Sequence, residues 1–196
     1  MANKNLDGLH VAALMTDGFE QIELTEPMRA LREAGASVKI IAPKSGTVQG
    51  MNHDEKADTF PVDMTLDQAR AGDFDALLLP GGVMNADHIR TDRGAVQFVR
   101  SMFDASKPMA VICHAPWLLI EADIVRGRRL TSYPTLQTDI RNAGGEWIDA
   151  EVVTDQGLVT SRKPDDIPAF NRKMIEEFAE GAHTERRTTA ASGINR

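Results

Sequence analysis

The segment Lys107-Pro108-Met109-Ala110-Val111-Ile112-Cys113-His114-Ala115-Pro116 does most to limit what this chain can fold into. Met109 to Ile112 is apolar at every position rather than at every second one, which marks a strand buried on both faces, as in a parallel sheet. The run stops at Cys113, and residues 116–122 read as a helix with Pro in its first turn, where a missing N–H is tolerated. The single cysteine of the chain therefore stands at a strand-to-helix corner. Helix N–H groups point towards such a corner, and their partial positive charge favours thiolate over thiol. His114 follows directly. A lone cysteine also suits a small buried hydrophobe, so the corner alone leaves both a nucleophile and a packing residue open.

The rest of the chain repeats this alternation. Residues 9–15 form an apolar run of strand length, ended by a turn at Thr16-Asp17-Gly18. Apolar residues then recur at helical spacing through Ile22, Leu24, Met28 and Leu31; Pro27 is expected to split this helix in two and Gly35 to close it. Ser37–Ala42 is a second strand, completing a βαβ unit with a right-handed crossover and parallel strands. Residues 47–62 are polar and irregular, broken at Gly50 and Pro61, and suit a hairpin of edge strands. Thr65 is placed to cap a short helix over 65–71. Ala76–Leu79 is a third buried strand, ended by Pro80-Gly81-Gly82, and residues 92–103 form a helix with Val96, Val99 and Phe103 on one face. After the Cys113 corner come a strand over 130–133 and a helix over 135–142. A hairpin then joins 151–154 to Leu158–Ser161 across Asp155-Gln156-Gly157. A last helix runs from Asp165 or Asp166 to Phe178. The pattern predicts a three-layer α/β sandwich on a mostly parallel sheet, in one domain over residues 9–180. Residues 1–8 are expected to be flexible, and the small, polar stretch 181–196 disordered.

A chain of 196 residues is long enough for one substantial core. Its net charge of −7, with no long basic block, argues against nucleic acid as a partner. Residues 1–8 lack the apolar core of a signal peptide, no run is long enough to span a membrane, and a lone cysteine suits a reducing compartment. A cytoplasmic location is expected. Cys113 and His114 alone cannot close a metal site, and Gly81-Gly82 lacks the spacing of a nucleotide-binding loop, so neither a metal nor a cofactor is expected.

Ligands of parallel α/β sheets bind beyond the carboxyl ends of the strands. Three loops arrive there, carrying Glu20, Gly81-Gly82 and Cys113-His114. A cysteine nucleophile needs a proton carrier nearby and donors for the oxyanion formed on its substrate. Glu20, partly desolvated, would have a raised pKa and could share a proton with the sulfur; as a first-turn acid it would equally suit the helix dipole. The N–H groups of His114 and of Gly81-Gly82 could form the oxyanion hole, or the glycines could be simply a turn. His10, His53 and His183 read as incidental.

Four motifs carry a resemblance: Asp17-Gly18-Phe19-Glu20-Gln21-Ile22-Glu23-Leu24, Leu79-Pro80-Gly81-Gly82, Ile112-Cys113-His114-Ala115-Pro116 and Thr160-Ser161-Arg162. In content and order they resemble the ThiJ/PfpI superfamily, which includes PfpI-type intracellular proteases and deglycases related to the parkinsonism-associated protein. The resemblance spans residues 9–180 and implies a flavodoxin-like sandwich, shared with class I glutamine amidotransferases. It implies that Cys113 is a nucleophile on a strained elbow, that Glu20 hydrogen-bonds its sulfur, and that His114 pairs with an acid supplied across a subunit interface, which Asp87 matches. At least a homodimer with a shared site follows. Ala115 stands where the family usually has Gly; its methyl is expected to narrow the substrate pocket or to disfavour a positive φ.

The function expected is therefore a cofactor-free stress-protection enzyme. It would act on small carbonyl compounds and glycated amines, as a glyoxalase or deglycase, or on peptides, as a hydrolase. A glutamine amidotransferase would need a His-x-Glu pair; His183-Thr184-Glu185 has the spacing but falls in the polar tail. The alternative from another class is a non-catalytic redox sensor or holdase that uses an oxidisable Cys113.

Overall fold

The strands with continuous apolar runs all lie in one sheet. The structure, a computed structural model, describes residues 5–182. Its strands are β1 (His10–Leu14), β2 (Phe19–Glu20), β3 (Ser37–Ala42), β4 (Thr47–Asn52), β5 (Glu55–Pro61), β6 (Met64–Thr65), β7 (Ala76–Leu79), β8 (Met109–Ile112), β9 (Arg129–Leu130), β10 (Glu146–Trp147), β11 (Val152–Asp155) and β12 (Leu158–Ser161). Its α-helices are α1 (Ile22–Glu33), α2 (Val83–Ile89), α3 (Arg93–Asp104), α4 (Pro116–Glu121), α5 (Gln137–Asn142) and α6 (Ile167–Glu180). The main sheet has the order β11-β12-β8-β7-β1-β3-β6, parallel throughout except at β11. Alternate residues of each central strand enter two separate cores. Ala12, Leu14, Leu77, Leu79, Met109 and Val111 pack under α3, α4 and α5. Val11, Ala13, Leu78, Ala110 and Ile112 pack under α1 and α6. These are the three layers expected, and the period of two along each strand builds them.

The chain leaves β1 to build β3 on one side and returns to build β7 on the other. The loops after β1 and β7 thus part company, which opens a crevice at the carboxyl edge of the sheet. The residues of β8 that follow enter beside it.

Four local expectations are corrected. Helix α1 is continuous through Pro27, which is buried. The only bond lost is the one a residue at 27 would donate to the Glu23 carbonyl, and burial of the ring offsets it. Residues 65–71 are not a helix: Thr65 pairs with Ala42 as part of β6, and the N–H groups of Gln68 and Ala69 both return to the Thr65 carbonyl in a single uncontinued turn. The strand expected over 130–133 stops at Leu130, because Thr131 N–H donates to Thr160 Oγ1 and Tyr133 N–H to the Cys113 carbonyl. The segment expected to be flexible is tied down from Leu6, which is fully buried and donates its N–H to Ala34. Residues 1–4, and the tail 183–196 with His183-Thr184-Glu185, lie outside the described residues.

Candidate active site

Cys113 has a φ of 64°, a left-handed conformation that costs a non-glycine residue about 1–3 kcal/mol. Two neighbours hold it there. Its N–H donates to the Ser161 carbonyl of β12 at 3.0 Å, and its carbonyl accepts from Tyr133 N–H at 2.8 Å. The thiol lies among buried groups, with the N–H groups of Gly82 and His114 directed at the sulfur.

The acid beside the sulfur is Glu23, not Glu20. Glu23 stands in the first turn of α1 and is fully buried. Its Oε2 accepts the Gly81 N–H at 2.9 Å, Oε1 has no well-aligned partner, and the Cys113 thiol lies against the carboxyl. Burial pushes Glu23 up to about 8, against the opposing pull of the Gly81 N–H and of Cys113, while the charge of Glu20 adds to the rise. Glu20 ends β2, two residues before α1, and its Oε2 accepts the His53 N–H at 3.1 Å. It lines the cavity without holding the sulfur.

Burial, and then the charge of Glu23, push the Cys113 thiol up; the N–H groups of Gly82 and His114 pull the other way. The lowered thiol expected from a helix start is not found, because α4 has few amides to offer. Ala115 N–H is spent on the Ile112 carbonyl and Trp117 N–H on the His114 carbonyl. Up to about pH 8, however, Glu23 holds a proton and its charge no longer opposes the thiolate. The carboxyl and the sulfur are placed to exchange that proton, so the buried pair carries at most one negative charge.

His114 Nδ1 lies 3.1 Å from Sγ, and its ring stacks on Tyr133 with centroids 4.5 Å apart. Burial pushes its pKa down to about 4, so the imidazole is neutral at pH 7 and only weakly basic within one protomer. Asp87, on the exposed side of α2, makes no hydrogen bond or ion pair among the described residues. One protomer does not bring it to His114.

The glycines are set by close approach. A methyl on Gly81 would lie 2.6 Å from both Cys113 Cβ and Glu23 Oε2, and one on Gly82, at φ +84°, would lie 2.5 Å from the Gly18 carbonyl oxygen. Their donors divide: Gly81 N–H serves Glu23, which leaves Gly82 and His114 as candidates for an oxyanion. Ala115 does not line the cavity. Its φ is −58°, which needs no glycine, and its methyl is buried in the core with Leu79 and Leu118, away from the cavity lining.

These groups open into a cavity of about 680 Å³, whose wall includes Glu20, His53, Met84, Tyr133 and Lys163. His53, set aside as incidental on sequence, thus belongs to the wall. Tyr133 and Lys163 carry no signal in the sequence, because loop closure alone brings them in. Glu23 does carry one: with Pro27 and Leu31 it forms an i, i+4, i+8 series on the buried face of α1. Among the described residues no group of three or more His, Cys, Asp and Glu is placed to hold a metal, and no helix is long and apolar enough to cross a membrane.

Residues 10–177 match the sequence profile of the DJ-1/PfpI family. The chain belongs to the DJ-1/PfpI family. Protein/nucleic acid deglycase 2 of Escherichia coli (strain K12) is 44% identical over 167 residues, 84% of this chain and 95% of that one. General stress protein 18 of Bacillus subtilis (strain 168) is 43% identical over 170 residues, 86% of this chain and 96% of that one. Among solved structures, Drosophila melanogaster DJ-1beta superposes with a TM-score of 0.78 at 29% identity, covering 94% of this chain and 96% of its own. The α/β sandwich of this DJ-1/PfpI chain is therefore the fold of its family.

Proposed function

We propose that this DJ-1/PfpI protein is a cysteine-dependent enzyme acting on small reactive carbonyl compounds and on their early adducts with amines. The observation that carries this reading is the Cys113–Glu23 pair, a strained thiol beside a buried carboxyl that titrates near pH 8. A general acid–base is most effective with a pKa close to the operating pH, which suits Glu23 better than His114.

In this scheme the sulfur adds to the aldehyde carbon of a 2-oxoaldehyde. A C–S bond forms, the carbonyl electron pair moves onto oxygen, and that oxygen takes the proton to give a hemithioacetal. Glu23 then removes the hydrogen of that carbon as a proton and returns it to the neighbouring ketone carbon, while the hemithioacetal hydroxyl proton passes to the ketone oxygen, leaving the thioester of a 2-hydroxy acid. Water cleaves the thioester to a 2-hydroxy acid and regenerates the thiol. One carbon is oxidised as its neighbour is reduced, so the balance closes without an outside oxidant. The N–H groups of Gly82 and His114 are placed to hold the developing oxyanion. For an adduct, the amine leaves as the sulfur takes its carbon; the name of the Escherichia coli relative supports this branch. We propose further that the site is shared in a homodimer, with Asp87 of a second copy giving His114 the carboxylate it lacks.

The test follows methylglyoxal loss and lactate formation, without added thiol or buffer amines, beside Cys113→Ser. Many turnovers per subunit, abolished by the substitution, are expected. Loss of no more than one equivalent would reduce Cys113 to a carbonyl trap and leave peptide hydrolysis or redox sensing as its role.

A further inference from the structure

The cavity over Cys113 does not end at Glu20. A second cavity of about 530 Å³ lies on the other side of that residue, and the two share Glu20, Met51, His53 and Pro164 in their walls. Either one is of the size that takes a whole drug-like ligand. A three-carbon dicarbonyl would occupy little of the first and none of the second.

The dividing wall is built and fixed. It includes the turn of the β4–β5 hairpin, where His53 adopts a left-handed φ of 58°. Glu20 accepts the N–H of that residue at 3.1 Å. Gln21 clamps the same hairpin three times: its N–H donates to the Met51 carbonyl at 2.8 Å, its Nε2 to Asp58 Oδ2 at 2.8 Å, and its Oε1 accepts Asp58 N–H at 2.8 Å. Hydrogen bonds of this number hold a hairpin turn in one place.

The charge of the second cavity is one-sided. Its lining contains the carboxylates of Glu20 and Glu26 and the uncharged polar groups of Gln21, Thr25 and Asn52, with no lysine or arginine. Glu26 already pairs with Arg29 at 2.6 Å. Glu20 has no cationic partner among the described residues, where its one hydrogen bond is from the His53 backbone N–H. A carboxylate at the junction of two cavities, with an oxygen free and no counter-charge, suits a ligand that brings a cation or hydrogen-bond donors.

We propose that this second cavity is the carrier subsite: it binds the amine-bearing part of a carbonyl adduct, of the arginine or lysine type, while the carbonyl carbon lies over Cys113, and Glu20 positions the carrier. The proposal rests on the carbonyl reading above. It assigns to Glu20 a specificity role in place of the proton-carrying role that falls to Glu23.

Direct binding tests the subsite without requiring turnover. Calorimetric titration of Cys113→Ser protein with Nα-acetylarginine amide, and separately with Nα-acetylglutamate, measures the preference for a cationic carrier. The arginine compound is expected to bind at least about fivefold more tightly, the size of a half-exposed ion pair. Adding Glu20→Gln should remove that preference. Adding Ala57→Phe, which fills the second cavity from β5, should weaken the arginine compound at least about tenfold. With Cys113 intact, Ala57→Phe should lower kcat/KM for a methylglyoxal–acetylarginine adduct relative to that for free methylglyoxal. Equal binding of the two carriers, or binding indifferent to both Glu20→Gln and Ala57→Phe, overturns the subsite. Absence of methylglyoxal turnover in the wild type would instead overturn the carbonyl reading, and the binding result would still decide what the second cavity holds.

Discussion

At the scale of single residues the site turns on a choice between two glutamates three positions apart. Glu20 sits on a two-residue strand and faces both cavities; Glu23 is carried by the first turn of α1 into the space between Gly81 and Cys113. Replacing Glu23 by Gln keeps an acceptor for the Gly81 N–H and removes the proton carrier. Activity on carbonyl substrates should fall at least about 100-fold, as for loss of a general acid–base. Stability should move the other way. Glu23 holds its proton up to about pH 8 when folded, against 4.5 when free of the fold. Between those values the folded state binds a proton that the unfolded state has lost, so the wild type loses stability as pH rises through that window and levels off above it. A neutral Gln does not titrate. The gain from Glu23→Gln should therefore be small at pH 4.5 and reach on the order of 5 kcal/mol, roughly ten degrees or more in Tm, above pH 8. Thermal melts across that range check the sign; a gain constant with pH would mean that Glu23 is not held protonated. The Cys113 elbow was legible in the sequence because a strand, a lone cysteine and Pro116 are all local signals. The choice of Glu23 was legible only through its phase with Pro27 and Leu31, a signal that the proximity of Glu20 to the turn obscured.

At the scale of elements, legibility followed how much each segment depends on itself. β7, β8 and β1 after His10 are buried on both faces, and their unbroken apolar runs declare it, whereas β3 shows itself by alternation, with Ser37 and Lys39 exposed. β6 and β9 are two residues long and exist only because a neighbour offers backbone partners, β3 in one case and β10 in the other. Nothing in their own residues announces that. Helix α2 carries no periodic signal for a related reason: Val83 and Met84, at its start, are exposed rather than phased with Ala86 and Ile89. The corner before α4 also decides what the unusual Ala115 does. Its methyl packs into the core and its backbone is ordinary helical, so Ala115→Gly should lower stability by about 1 kcal/mol through lost burial and added backbone freedom. KM for methylglyoxal should stay within twofold. Urea unfolding alongside steady-state kinetics separates the two, and a larger change in KM would return the methyl to the pocket.

At the scale of the whole molecule, one protomer holds the thiol, the buried carboxyl and the N–H groups to which the proposal gives the roles of nucleophile, proton carrier and oxyanion donors, but leaves His114 weakly basic and Asp87 without a partner among the described residues. Val83 and Met84 stand 52% and 49% exposed at the cavity mouth on the same helix as Asp87, apolar surface of the sort that a second copy would cover. If the site is shared, Asp87→Ala should retain the wild-type Tm and lose most activity, because a solvent-facing carboxylate contributes little to its own fold. Cys113→Ser should be inactive for its own reason. Mixing the two and allowing subunits to exchange then makes a dimer in which one site has Cys113 from the first chain and the partner subunit's Asp87, while the other site has neither. Half of the dimers in an equal mixture are of this kind and half of their sites are complete, so activity should recover to about a quarter of the wild type. A mixture no more active than the average of its parents would mean that each protomer completes its own site, and His114 would then act as a neutral hydrogen-bonding group beside the sulfur rather than as a base.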